Sequence, residues 1–253
     1  MNKYKKQFEE YLNKYNFNSK LSDAIKYVML SDGNRIRPQL VLAWCDVCGG
    51  NIEDALPLAL AIECIHTMSL IHDDLPCMDN ETIRRGKFCL HLATNEMTAI
   101  LTGDTLLSMA FSIVANCDLE DNQKLEAIKV LSKASCSMAD GQYIEACTSS
   151  HSVDEWQVIH YGKTAVLLES ACALGVIAAN GSYECMSEAM KYGKSLGMAY
   201  QIIDDIRDDD GISIIDEMDY LYNTINSYKN NCDIGDETNS RSFLTSLAKK
   251  VLI

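Results

Sequence analysis

The stretch EDALPLALAIECIHTMSLIHDDLPCMDNETIRRGK, from Glu53 to Lys87, decides how the rest of the chain is read. From Glu53 into Leu75 it reads as one long apolar helix, which Pro76 ends or bends because the residue before a proline disfavours helical geometry. That helix runs into Asp73, Asp74 and Asp79, and these are followed by Arg84, Arg85 and Lys87. Aspartates at a helix C-terminus oppose the helix dipole and repel one another. Crowding them there is tolerable where hard cations compensate.

Working outward, the pattern is helical nearly throughout. The N-terminal MNKYKKQFEEYLNKY is polar and amphipathic, lacks the apolar core of a secretory signal, and reads as a first helix. A short helix is expected over Asp23 to Ser31, broken at Gly33 and Asn34. A third carries Pro38 near its first turn, where proline is tolerated, and closes at Gly49, Gly50 and Asn51. Later helices are expected over Asn95 to Ala115, Asn122 to Thr148, Val153 to Ala179 and Tyr183 to Arg207, with shorter pieces after Ile212. Strand-like alternation is missing. The expected fold class is all-α, one domain over 1–253, a bundle of long antiparallel helices around a central cavity. AVLLESACALGVIAA and TAILTGDTLLSMAFSIVA carry little charge and suit a central position or a subunit interface. NNCDIGDETNSRS reads as a weakly packed loop.

Composition narrows the function. The chain has 253 residues, 47% of them hydrophobic, enough for a sizeable core. A formal net charge of -14 argues against nucleic acid as a partner. No run of 18 apolar residues occurs, so no membrane span is expected. Most of the eleven cysteines sit in apolar runs as buried thiols would, and Cys45 with Cys48 forms a lone CxxC without a second pair or nearby histidine. A reducing, cytoplasmic setting is the simpler expectation.

A second acidic cluster, Asp204, Asp205 and Asp208 in AYQIIDDIRDDDG, again follows an apolar helix. Asp204 and Asp208 share a helix face, with Gln201 a turn before them. Mg²⁺ prefers carboxylate oxygens, water and phosphates, and needs no closed protein cage. Arg35, Arg37, Arg84, Arg85, Lys87, Lys163 and Thr164 supply dispersed cations and a hydroxyl. Two acidic clusters and scattered cations on an apolar bundle point to a diphosphate carrying a greasy tail.

These residues resemble the trans-isoprenyl diphosphate synthases, the polyprenyl synthetase family that includes farnesyl and geranylgeranyl diphosphate synthases. ECIHTMSLIHDDLPCMDNETIRRGK is similar to that family's first aspartate-rich motif, GKTAVLL to its lysine-threonine motif, AYQIIDDIRD to its second aspartate-rich motif, and GNRIRP to its early basic segment. The resemblance implies an isoprenoid synthase fold, usually a homodimer, with three Mg²⁺ ions. It implies head-to-tail transfer of an allylic diphosphate (dimethylallyl, geranyl or farnesyl) onto isopentenyl diphosphate. It places Asp73, Asp74, Asp79, Asp204, Asp205 and Asp208 at the metals, with Asp73, Asp74, Lys163 and Asp204 carrying the chemistry. Arg84, Lys163 and Gln201 would hold the allylic diphosphate or its metals, Arg37, Arg85 and His91 the isopentenyl diphosphate, and Arg35 and Thr164 would also bind substrate. Met68 and Ser69, a turn before Asp73, would set product length, C15 to C20 with C20 favoured.

Some features depart from the family pattern. Asn34 stands where the family usually has a lysine, and the glycine-lysine loop after the second acidic motif is absent, which leaves Arg35 or Lys194 as conceivable substitutes. A class I terpene synthase that cyclises a prenyl diphosphate, and a non-catalytic partner subunit, therefore stay open as alternatives. Arg85 and His91 weigh against the cyclase, because they match the second-substrate site.

Overall fold

The computed structural model describes residues 2–147, 153–208 and 238–251, with the backbone alone at 153–154, 204–208 and 251. The described elements are α1 Lys3–Lys14, α2 Ser22–Met29, α3 Ile36–Val47, α4 Ile52–Asp73, β1 Ile83–Arg84, β2 Lys87–Phe88, α5 Leu90–Ala93, α6 Glu96–Ala115, α7 Asp121–Cys147, α8 Val153–His160, a π-helical turn Tyr161–Ala165, α9 Val166–Ala178, α10 Tyr183–Asp208 and α11 Asn239–Val251. The fold is the all-α bundle that the sequence leads one to expect.

α9 is the pillar. Every residue from Val166 to Ala178 except Glu169 is buried, and α3, α4, α7 and α10 pack around it. That all-round burial is the structural counterpart of a sequence that is apolar apart from Glu169 and Ser170. α4 is likewise enclosed over most of its length and aims its C-terminal end, His66 to Asp73, at a large cavity. Asn51 caps α4 by accepting from the Glu53 backbone N–H, and Glu53 and Asp54 in the first turn suit the dipole.

The outer helices are tied on by polar groups. Asp46 accepts from Lys3 Nζ, Tyr4 Oη and Ser240 Oγ, each at 2.7 Å, and so joins α1, α3 and α11. Arg241 forks onto both oxygens of Glu188 at 2.6 Å, and Tyr192 Oη donates to the Leu244 carbonyl at 2.8 Å. Asn239 to Arg241, expected in a loop, therefore start a docked helix.

Three expectations need correction. Cys48 at the end of α3 is disulfide-bonded to Cys185 in the first turn of α10, so the thiol reading fails for this pair. It holds for Cys45, Cys64, Cys89, Cys117 and Cys172, which are buried and not disulfide-bonded. Three helical spans, Ile52–Asp73, Glu96–Ala115 and Glu155–Ala178, are long and apolar enough to cross a membrane by length and composition. A search for unbroken apolar runs misses them because isolated polar residues interrupt each. Two of these spans are mostly buried inside the protein, whereas α6 exposes much of its surface. Finally, a two-stranded hairpin forms at residues 83–88, with Arg85 and Gly86 at positive φ in its turn. It is too short to show alternation.

Candidate active site

A cavity of about 1000 Å³ opens between α3, α4, the π turn and α10. Its walls have two chemically distinct ends.

One end is acidic. Asp73 and Asp79 line it, and the Asp79 N–H donates to the Asp73 carbonyl at 2.9 Å, which folds the loop after α4 back over the helix end. Burial, reinforced by Asp79, pushes the Asp73 carboxyl up to about 6, while Lys163 and Arg84 pull the other way. Among the described residues no three metal-ligating side chains come together. Asp73, half-buried, and Asp79, exposed, are a pair of oxygen donors whose like charges repel. That donor set fits a hard cation that completes its shell with water and phosphate. Asp204, Asp205 and Asp208 lie outside the described side chains; their backbone forms the last turns of α10.

The π turn brings Lys163 and Thr164 to this end. One extra residue per turn turns Lys163 into the cavity, the usual context of such bulges. Gly162 and Gly141 make it possible: a Cβ on Gly162 would stand 2.7 Å from the Ser137 carbonyl oxygen, and one on Gly141 2.9 Å from the Lys163 nitrogen. Lys163 Nζ pairs with Glu145 at 2.7 Å. Burial acts to lower the Lys163 ammonium, but Glu145, Asp79 and Asp73 outweigh it and the group is held above its ordinary value. Thr164 Oγ1 donates to Gln201 Oε1 at 2.5 Å and links the turn to α10.

The other end is cationic. Arg37, Arg85 and His66 line it, with Lys5, Gly33 and Asn34. Burial lowers the Arg37 guanidinium to about 10, and its Nε is enclosed without a hydrogen-bond partner. Burial also lowers Arg85, as do Arg35 and Arg84. His66 is pushed well below its ordinary value by burial and by Arg37 and Arg85, so it is neutral. Glu63 acts favourably on both arginines but is bonded to Arg35 at 2.7 Å. Half-buried cations left this short of counter-charge form a receptor for an anion.

Several residues expected at the site are placed elsewhere. Arg35 lines the cavity wall, but both terminal nitrogens of its guanidinium are engaged, by Glu63 and by the Met29 and Ser31 carbonyls. It braces the loop before α3 and is no free ligand. His91 is buried in α5 and is not among the residues lining the cavity; His66 lines it instead. Three histidines lie in or beside the first motif, His66, His72 and His91, and only His66, seven residues before Asp73, shares the α4 face of Glu63, Leu70 and Asp73, a periodicity that could have singled it out. Asp74 is buried and accepts from Arg84 Nε at 2.6 Å, facing a small side pocket rather than the main one. It positions Arg84. Met68 packs half-buried against the core, and Ser69 Oγ donates to the His66 carbonyl; neither lines the cavity. Lys194 stacks on Tyr161, 5.2 Å from the ring centre.

With this geometry in hand, comparison with known proteins is direct. Residues 18–211 match the polyprenyl synthetase family. The chain is 43% identical over 209 residues to a farnesyl diphosphate synthase of Micrococcus luteus, covering 80% of this chain and 72% of that one. It is 39% identical over 197 residues to the large subunit 2 of a heterodimeric geranylgeranyl pyrophosphate synthase of Arabidopsis thaliana, covering 75% and 52%. The chain spans about half the length of the plant relatives it matches. A geranyltransferase of Helicobacter pylori, solved with magnesium and isoprenyl diphosphate, superposes with a TM-score of 0.82 at 27% identity, covering 98% of this chain and 94% of that one. A cavity with an acidic end and a cationic end, on a helical bundle shared with these proteins, assigns the chain to the polyprenyl synthetase family.

Proposed function

We propose that this chain joins an allylic diphosphate head-to-tail to isopentenyl diphosphate, making a prenyl diphosphate of C15 to C20. The observation that carries the reading is the second, cationic end of the cavity. An enzyme that only ionises and cyclises one prenyl diphosphate needs a single anion site, next to its metals. Here Arg37 and Arg85 share the field of Glu63, whereas Asp73 is acted on by Asp79, Lys163 and Arg84.

Asp73 and Asp79, with the carboxylates of the second acidic motif, would hold Mg²⁺. When bound, the metal supplies charge neutralisation to a leaving diphosphate. Lys163 and Arg84 add fixed positive charge to the same oxygens. The allylic C–O bond breaks with both electrons going to the diphosphate oxygen. Leu70, Leu168 and Leu196 line the cavity and keep water from the resulting cation. Arg37 and Arg85 hold isopentenyl diphosphate, whose π electrons form the new C–C bond. The proton from its C2 passes to the departed diphosphate. Neutral His66 can donate one hydrogen bond without being a base.

We further infer a pair of copies joined through α6, supported by its exposed Met97, Ile100 and Leu101. The reaction is tested by supplying Mg²⁺, labelled isopentenyl diphosphate and each allylic diphosphate, then separating products. Chain-extended diphosphates are expected; cyclic hydrocarbons formed without isopentenyl diphosphate would replace this reading by the cyclase.

A further inference from the structure

Lys5 belongs to α1, far in sequence from every motif of the site, yet its side chain lines the same cavity. α1 is anchored there. Asn2 caps it and donates to Gln39 at 2.5 Å, and Gln39 in turn donates to the Asn34 and Arg35 carbonyls. Tyr4, on the next residue, is buried and bonded to Asp46. Lys5 is thereby fixed on the edge of the loop that leads into α3. Its Nζ donates to the Gly33 carbonyl at 2.7 Å, and its other polar neighbour is Glu9 at 3.7 Å. The Arg85 guanidinium packs against the same glycine, where an added Cβ would stand 3.2 Å from Cζ. An ammonium has three donors, and one is committed at short range. Lys5 and Arg85 therefore meet at one glycine at the cationic end, where neighbouring Asn34 brings no charge.

We propose that Lys5 is a ligand of the isopentenyl diphosphate, with its ammonium acting alongside Arg37 and Arg85 on the diphosphate oxygens. This rests on the proposed condensation for the substrate's identity, but its chemistry is that of diphosphate recognition. Two half-buried guanidiniums leave part of a diphosphate's charge unmatched, and the point charge of a lysine complements their planar forks. The N-terminal helix thus becomes part of the second-substrate site. Gly33 is small because two cations converge on it.

The variant that separates charge from stapling is Lys5→Gln, which can still donate to the Gly33 carbonyl. Calorimetric binding of isopentenyl diphosphate and of inorganic pyrophosphate is measured in chelator, alongside KM for both substrates. Lys5→Gln is expected to weaken binding of both probes and raise KM for isopentenyl diphosphate about 10-fold or more. kcat and KM for the allylic substrate stay within about two-fold. Lys5→Gln with Asn34→Lys, which returns the charge from the residue next to Gly33, is expected to recover most of the loss. Unchanged KM in Lys5→Gln, or equal losses for both substrates, overturns the assignment. If wild type fails to elongate but its pyrophosphate binding depends on Lys5, the assignment stands and the proposed condensation falls. A thermal melt of Lys5→Gln matching wild type shows that the loss is not one of folding.

Discussion

Asp73 does two things that pull against each other. As a half-buried carboxylate facing Asp79 it destabilises the metal-free fold once ionised, and that same unmet charge is what a cation would find. The sign follows from the raised value: between about pH 4 and 6 the folded chain retains a proton at Asp73 that the unfolded chain gives up. Stability falls across that window and stays lower above it. In chelator at pH 8, Asp73→Asn is therefore expected to raise stability by about 1–3 kcal/mol, read from denaturant melts, while abolishing turnover. A variant both inactive and less stable would mean that the carboxylate is structural. The two histidines divide in a similar way. His66→Ala is expected to raise KM for isopentenyl diphosphate about 10-fold, whereas His91→Ala should leave KM alone and cost about 1–3 kcal/mol of stability through its buried ring. At this scale the sequence was legible where chemistry depends on residue type in a fixed local spacing. Asp73, Arg84, Lys163 and Arg85 meet that condition. It failed where partners come from elsewhere in the chain: Arg35 is removed from the ligand set by Glu63, Asp74 turns to Arg84, and Lys5 arrives from α1.

At the scale of elements, hydrophobic periodicity fixed most helices to within a residue or two, because long buried helices need long apolar faces. α9, without charge over most of its length, could only be central. What periodicity does not encode is a change of helical pitch. The segment Val153 to Ala179 reads as one helix, yet Tyr161–Ala165 winds as a π turn. The cause lies across the interface, where the backbones of Gly141 and Gly162 lie in contact and leave Lys163 pointing inward. Gly162→Ala is the corresponding test. Its methyl group would press on the Ser137 carbonyl, backbone that cannot step aside cheaply, so the turn has to shift. The expected cost is about 1–3 kcal/mol in stability. The expected fall in kcat is disproportionate, about 10- to 100-fold, because Lys163 is displaced from the acidic end. A variant that loses stability but keeps kcat would detach the π turn from catalysis.

For the whole molecule, the question is what covers α6. Met97, Ile100 and Leu101 are spaced three and four apart, so they share one stripe, and each is more than two-fifths exposed. Leu92 at the end of α5 adds to it. In the pair of copies inferred above, this stripe is the interface. The charge balance then makes a prediction of unusual sign. Each copy carries a formal net charge of -14, so two copies repel over distance and attract only through the apolar contact. Salt screens the repulsion and leaves the contact intact. Association is therefore expected to tighten as sodium chloride rises from about 50 to 500 mM, opposite to an interface built on ion pairs. Sedimentation velocity measures this directly. Leu101→Glu places a charge in the stripe on both copies at once and is expected to give monomers at micromolar concentration. Its thermal stability in the monomer should hardly change, because the side chain it replaces is exposed there. If wild type remains monomeric at high salt, the stripe is not a self-interface. Co-flotation of that monomer with lipid vesicles would then assign it to a membrane surface, in keeping with the hydropathy of α6.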